Sequence, residues 1–179
     1  MKSIRLLIIS SLMVAAFGCS TVSYRYNHDP EVNFAGLKTF SWMTVNVQEN
    51  IHTLNIERIQ NEVNAQLEAK GCKVTTDNPD FLISMHVMKE ERRDVQSWNY
   101  TYSGRAMLHG GSYAADTQFD VYQYEEGTLI LNFVDAQSNE LIWRGIAQGE
   151  VRNYSSPVKR NERIDGVVQK VLSNFPPAK

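Results

Sequence analysis

The stretch LILNFVDAQSNELIWR, residues 129–144, decides the fold class. Leu129, Leu131 and Phe133 alternate with Ile130, Asn132 and Val134. After Asp135-Ala136-Gln137-Ser138-Asn139 the alternation resumes, with Leu141 and Trp143 opposed to Ile142 and Arg144. A strand sends successive side chains to opposite faces, so a period of two on both sides of a turn-rich pentapeptide specifies an antiparallel hairpin. Asn139 suits the left-handed conformation that such a turn requires. The pattern runs back to Phe119 and forward to Val151, so both arms are long.

Downstream of the hairpin, Ile164, Val167, Val168, Val171, Leu172 and Phe175 recur at three- and four-residue spacing. This predicts a helix over about 161–174, which Pro176 and Pro177 end. Upstream, Ile56, Ile59, Val63 and Leu67 form a second such stripe, predicting a helix over 55–70 with Gly71 just past its C-cap. Phe40 and Trp42 alternate with Thr39 and Ser41 in a predicted strand over 37–43, and a loop is expected at 46–50. A short strand is expected near 72–75. Asp77-Asn78-Pro79-Asp80 is a turn, and a long strand starts at Phe81 and becomes charged from Lys89 to Asp94, where it must leave the core. Residues 98–118 show neither period. Each helix offers one apolar stripe and strands such as 119–124 offer one apolar face. The expected architecture is therefore α+β in two layers: a largely antiparallel or mixed sheet with two helices packed on one face. One domain is expected over 34–179, with no internal repeat.

The amino terminus speaks to address. Lys2 and Arg5 precede the uncharged apolar run Leu6 to Ala16, which has the shape of an export signal and is shorter than the roughly 20 residues of a membrane span. Ala16-Phe17-Gly18-Cys19 resembles the lipobox at which a bacterial lipoprotein signal is cut between Gly18 and Cys19, with Ala16 where Leu is usual. Residues 1–18 are thus expected to be removed, Cys19 to carry the lipid and residues 19–33 to serve as a polar tether. An ordinary secretory signal with an incidental cysteine is the alternative. By resemblance to enterobacterial sorting, Ser20 after the cysteine implies the periplasmic face of the outer membrane.

The whole chain has a formal charge of −2. Residues 1–18 hold two of its 18 Lys+Arg and none of its 20 Asp+Glu, so the remainder carries −4. Such a balance lacks the broad positive field that binding of nucleic acid or anionic lipid normally uses. With Cys19 acylated, only Cys72 is left and no internal disulfide can form. A buried, unreactive thiol is expected there.

Reactive constellations are sparse. His28, His52, His86 and His109 are scattered with no second ligand at metal spacing, so no metal and no cofactor is expected. His109-Gly110-Gly111-Ser112-Tyr113-Ala114 approaches a nucleophile elbow, with Ala114 in place of the second glycine. It has no strand leading in and no amphipathic helix leading out, which favours a loop over a hydrolase. Glu90-Glu91-Arg92-Arg93-Asp94 reads as a solvated edge rather than a carboxylate pair. Tyr100, Tyr102, Tyr113, Tyr122 and Tyr124 crowd one stretch. They are the candidate binding surface for peptide or glycan, against the alternative of cross-strand pairs that stabilise the sheet.

Asp29-Pro30 to Phe34, Leu37-Lys38-Thr39-Phe40-Ser41-Trp42, Lys70-Gly71, Pro79-Asp80, Glu126-Gly127-Thr128-Leu129, Val134-Asp135-Ala136, Leu141-Ile142-Trp143-Arg144-Gly145 and Phe175-Pro176-Pro177 follow one another in an order and spacing that resembles the bacterial lipoprotein family catalogued as domain of unknown function 4136. Ser138-Asn139 stands where that family tends to have Thr-Gly. The resemblance implies an exported, lipid-anchored domain and carries over no catalytic residue. The expected function is a non-catalytic interaction module in envelope assembly or integrity, held to the membrane by its lipid and engaging an envelope protein. The alternatives are a small-ligand or lipid carrier with a pocket between sheet and helices, opened by the glycine-rich stretch 104–111, and a hydrolase using Ser112.

Overall fold

The hairpin lies inside the sheet rather than at its edge. In the computed structural model, which describes residues 22–43, 46–47, 51–99 and 117–177, strand β6 (Thr117–Asp135) pairs antiparallel with both β7 (Leu141–Glu150) and β5 (Phe81–Asn99). Asp135 closes the hairpin: its Oδ1 accepts the backbone N–H groups of Gln137 (2.9 Å) and Ser138 (2.8 Å), and Asn139 takes φ of 60°. These two donors hold the Asp135 carboxyl below the usual carboxylate range.

Around this centre lie β1 (Val22–His28), β2 (Thr39–Trp42), β3 (Asn46–Val47) and β4 (Lys73–Val74), in the spatial order β1-β7-β6-β5-β2-β4 with β3 also paired to β5. β2 and β3 run parallel to β5 and β4 runs parallel to β2, so the sheet is mixed. Asn46–Val47, expected in a loop, continues the β2 edge along His86–Val87. Asp80 fastens the β2 end, where its Oδ2 accepts the backbone N–H groups of Lys38 and Thr39 and the Thr39 hydroxyl, each at 2.8 Å.

Helix α1 (Thr53–Ala69) buries the predicted stripe Ile56, Ile59, Val63 and Leu67. It stops where Gly71, at φ 88°, donates its N–H to the Glu68 carbonyl at 2.9 Å. Helix α2 (Pro157–Leu172) starts four residues before the periodic stripe suggested, because proline fits the first helical turn, whose N–H groups have no partner in the helix. The two helices form one layer on one sheet face. An Arg58–Asp165 ion pair and a Gln169 side-chain N–H donated to Glu62 (3.2 Å) join them.

Between the layers, Phe40, Phe81, Ile83, Met85, Leu131, Phe133 and Trp143 are buried together with Val168, Val171 and Leu172. Trp42, which alternates with Ser41 on β2, is half-buried with its indole N–H donated to Asn64 (2.9 Å). Beyond the end of α2, Phe175 folds back so that its ring meets Phe133 (4.7 Å) and Trp143 (5.5 Å). Cys72 is buried as expected, and desolvation pushes its thiol up.

One boundary needs correction. The polar tether expected over residues 19–33 is in fact an edge strand from Val22 on, since Val22–His28 pair residue by residue with Trp143–Gly149 of β7. Val22, Tyr24, Tyr26 and His28 alternate with Ser23, Arg25 and Asn27, which is the pattern of a half-buried strand. The Tyr26 hydroxyl donates to the Lys170 carbonyl on α2 at 2.7 Å. Only Ser20 and Thr21 separate β1 from Cys19.

Candidate functional site

Strand alternation gives the sheet two chemically different faces. The helix-side rows are apolar. On the other face, a polar ladder crosses four strands: Arg25 of β1 donates to the Gln148 side chain (2.9 Å), Gln148 to Glu126 (3.0 Å), and Arg92 to the same Glu126 oxygen (3.0 Å) while pairing with Glu90 (3.2 Å). The Glu126 hydrogen bond raises the Arg92 guanidinium further above its ordinary value. Such neighbours satisfy one another and leave little free charge, so the ladder is scaffold more than recognition surface.

Past this ladder the sheet narrows. β3 leaves β5 after Val87 and β7 leaves β6 after Glu126, yet the β5–β6 register continues to Asn99–Thr117. Among the described residues this makes a two-stranded ribbon reaching beyond the helix layer. Val95 and Val121 are opposite each other in register and are 61% and 57% exposed. On the other face Tyr122, also 57% exposed, stacks on Tyr124 with ring centroids 5.7 Å apart and donates its hydroxyl to Glu150 (3.2 Å). Partial desolvation, reinforced by Asp94 and Glu126, raises the Tyr124 phenol. Two of the five candidate tyrosines are thereby brought together as a same-strand stack, not a cross-strand pair. Tyr100, Tyr102 and Tyr113 lie outside the described residues, as do Gly18, Cys19, His109 and Ser112.

Opposite this stack, on the helix side, lies a groove of about 480 Å³. Its cause is in the register: Gly127 of β6 faces Gly149 of β7, between Val22 of β1 and Lys89 of β5, so the two central strands put no side chain into that row. Leu129 and Ala147 form the next row of the floor, and Ile59, Ile164 and Val167 form the helix wall. Arg152, Arg160 and Arg163 also line it, along with Lys89 and one carboxylate, Glu150. Arg160 and Arg163 are three apart on one face of α2; sequence reasoning missed the cluster because only the path of the β7–α2 connection brings Arg152 to the same groove.

The histidines are placed apart. His28 is on β1 with its ring edge-on to Phe34, His52 precedes α1, and His86 on β5 has Nε2 3.0 Å from the Ser84 hydroxyl. Among the described residues no three His, Cys, Asp or Glu side chains gather as a metal site, and no helix is long and apolar enough to cross a membrane.

The family model described as Domain of unknown function (DUF4136) matches residues 22–177, beginning at the first residue of β1. No curated protein matches the chain. A DUF4136 family protein from Bacteroides thetaiotaomicron is 15% identical, with a TM-score of 0.55 over 88% of this chain and 97% of its own. A PDZ domain protein from Parabacteroides distasonis is 14% identical, with a TM-score of 0.57 over 88% of this chain; the chain spans only 36% of that protein's length. The PelC dodecamer from Paraburkholderia phytofirmans gives 12% identity and a TM-score of 0.51, covering 88% of this chain and 99% of its own. At these identities the likeness is one of fold.

Proposed function

The chain belongs to the DUF4136 family, and from that premise, which brings no assigned chemistry with it, we propose that it is a lipid-anchored, non-catalytic interaction module at the periplasmic face of the outer membrane. The β5–β6 ribbon would engage an envelope protein. Acylation of Cys19 would confine the domain to the membrane surface, since each buried methylene contributes roughly 0.8 kcal/mol and several chains hold a soluble domain there almost permanently. The observation that carries the reading is the ribbon. An isolated two-stranded ribbon is only marginally stable in water, and unpaired strand edges are templates for another chain. Exposed Val95, Val121 and Tyr122 on such an arm fit a surface that a partner covers. Its rigid aromatic stack offers contact area at low entropic cost.

The test is in-cell photocrosslinking from position 121 or 122 of the full lipoprotein, with position 25 on the polar ladder as control. A discrete adduct from the ribbon and none from the control supports the reading. Equal or absent adducts from both overturn it. A second protein in the adduct identifies an envelope partner, whereas an adduct of twice the chain mass would mean that copies engage each other and would replace the partner reading. Removing the thiol by Cys19→Ser should move the protein from the membrane pellet to the soluble fraction, and quantitative sedimentation of that variant would overturn the anchor.

A further inference from the structure

We infer that the groove between the sheet and the starts of the two helices binds an anionic phospholipid of the membrane to which the chain is tethered, one acyl chain lying on the apolar floor and the phosphate on the arginines at its mouth. This rests on the anchor proposed above. Three observations converge. First, the groove has the amphipathic make-up that such a ligand needs: its lining joins the apolar Leu129, Ala147, Ile59, Ile164 and Val167 with Arg152, Arg160 and Arg163. Its volume of about 480 Å³ falls within the roughly 300–1,000 Å³ of small-molecule sites.

Second, its charge runs against that of the chain. The chain is acidic overall, yet four cations line this groove against one carboxylate, Glu150, which already accepts the Tyr122 hydroxyl. Lys89 is paired with Glu125 (2.7 Å), and Arg160 reaches only the Tyr154 carbonyl, at 3.4 Å. Arg152 and Arg163 have no ion-pair partner among the described residues. Arginine presents a planar fork that matches phosphate oxygens, and here it needs no competing carboxylate displaced. The exclusion of anionic lipid drawn from net charge therefore fails locally, because the fold concentrates the cations at one mouth.

Third, place. Val22 lines the groove, and it is the third residue after Cys19. Three extended residues reach about 10 Å at most, so a lipidated Cys19 would keep the Val22 side of the groove within that distance of the acylated residue. A soluble ligand would gain nothing from this proximity, whereas a phospholipid is delivered by it.

The experiment uses the full lipoprotein in phosphatidylcholine vesicles doped with phosphatidylglycerol bearing a photoreactive group near its acyl terminus, with peptide mapping of the label. Label on the β6, β7 and α2 peptides that contain Leu129, Ala147 and Val167 is expected. It should fall about tenfold in the double variant Arg152→Glu/Arg163→Glu and equally in Gly149→Leu, which crosses the floor with a side chain. The ribbon variant Arg93→Glu should leave it unchanged. Label elsewhere, no label, insensitivity to the arginine reversals, or equal labelling by a phosphatidylcholine probe each overturns the inference. Label that appears only in Cys19→Ser would assign the groove to the chain's own acyl group, and overturns it too. Circular dichroism of each variant separates loss of the site from loss of the fold. Intact mass reports Cys19 acylation independently, so failure of the anchor shows as an unmodified amino terminus and failure of the groove as misplaced label on an acylated chain.

Discussion

At the scale of single residues, two glycines on the helix-side face make opposite demands. A Cβ on Gly145 would run into the Trp143 ring and lie 2.7 Å from Val171 Cγ1 on α2, both of them fully packed. Neither neighbour can give way, so Gly145→Ala should destabilise by about 1–3 kcal/mol, the usual size of an overpacking penalty. Urea unfolding reads it as a lower midpoint at unchanged slope. A Cβ on Gly127 would crowd the exposed Val151 side chain, at 2.8 Å, and touch the Gly149 carbonyl at an ordinary 3.9 Å. Because that side chain can turn aside, Gly127→Ala should shift the same midpoint little. Carboxylates supply the second residue-scale expectation. The backbone N–H of Lys38, with the Thr39 hydroxyl and N–H, holds Asp80 below the usual carboxylate range, as the turn N–H groups hold Asp135. Their native values are depressed, so the stabilisation is complete above about pH 4, the unfolded value, and is lost as pH falls through the lowered native values. Asp80→Asn should therefore cost about 1–2 kcal/mol at neutral pH, the lower range for charged hydrogen bonds because the group is half-exposed. It should also flatten the acid limb of a stability-against-pH curve.

At the scale of elements, β1 is the test of where the domain begins. Its seven residues cover the β7 edge, Tyr24 and Tyr26 pack against the core, and the Tyr26 hydroxyl ties it to α2. A chain starting at Asp29 should thus melt lower than one starting at Val22 and should self-associate through the bared β7 edge, which sedimentation velocity would detect. No change in either would mean that β1 is dispensable. This strand also shows what was legible. Long periodic elements announced themselves: both helical stripes, the hairpin and its Asn139 turn rest on local spacing that tertiary contacts only had to accept. β1 carried the same alternation in Val22, Tyr24 and Tyr26, but interleaved Arg25 and Asn27 and the nearby Cys19 made it resemble a tether. β4 lies where a short strand was expected near 72–75, whereas β3, only two residues long, is too short for any period to register and fell in an expected loop. The candidate site was less legible still. Tyr122 and Tyr124 stood out only as part of a crowd of five tyrosines in one stretch, and the fold stacks them because residues at i and i+2 of a strand share a face. The groove depends on Gly127 meeting Gly149 across two strands and on a connection that brings Arg152 to Arg160 and Arg163 of α2, and sequence spacing encodes neither meeting.

At the scale of the whole molecule, the short span from Cys19 to β1 would, with the proposed acyl anchor in place, turn an address into an orientation. A long tether would let the domain tumble, whereas with Cys19 acylated as proposed, Ser20 and Thr21 alone would leave the β1 end of the sheet, with the groove beside Val22, nearest the bilayer. The ribbon continues β5 and β6, and the groove floor is made by β5, β6 and β7, so the proposed lipid-facing and partner-facing surfaces would have two strands in common. The two activities should separate when the span is lengthened. Inserting ten Gly/Ser residues between Thr21 and Val22 adds a root-mean-square reach of about 18 Å without touching any buried contact. Membrane retention and melting temperature should therefore stay as they are. The effective concentration of bilayer lipid at the groove falls as the span grows, so phosphatidylglycerol photolabelling should drop several-fold, while crosslinking from position 122 to a soluble or mobile partner should persist. If labelling were indifferent to the insertion, proximity would not be what fills the groove. If ribbon crosslinking vanished with it, the partner would have to lie at a fixed height above the membrane, and the span itself would be setting which partner the domain can reach.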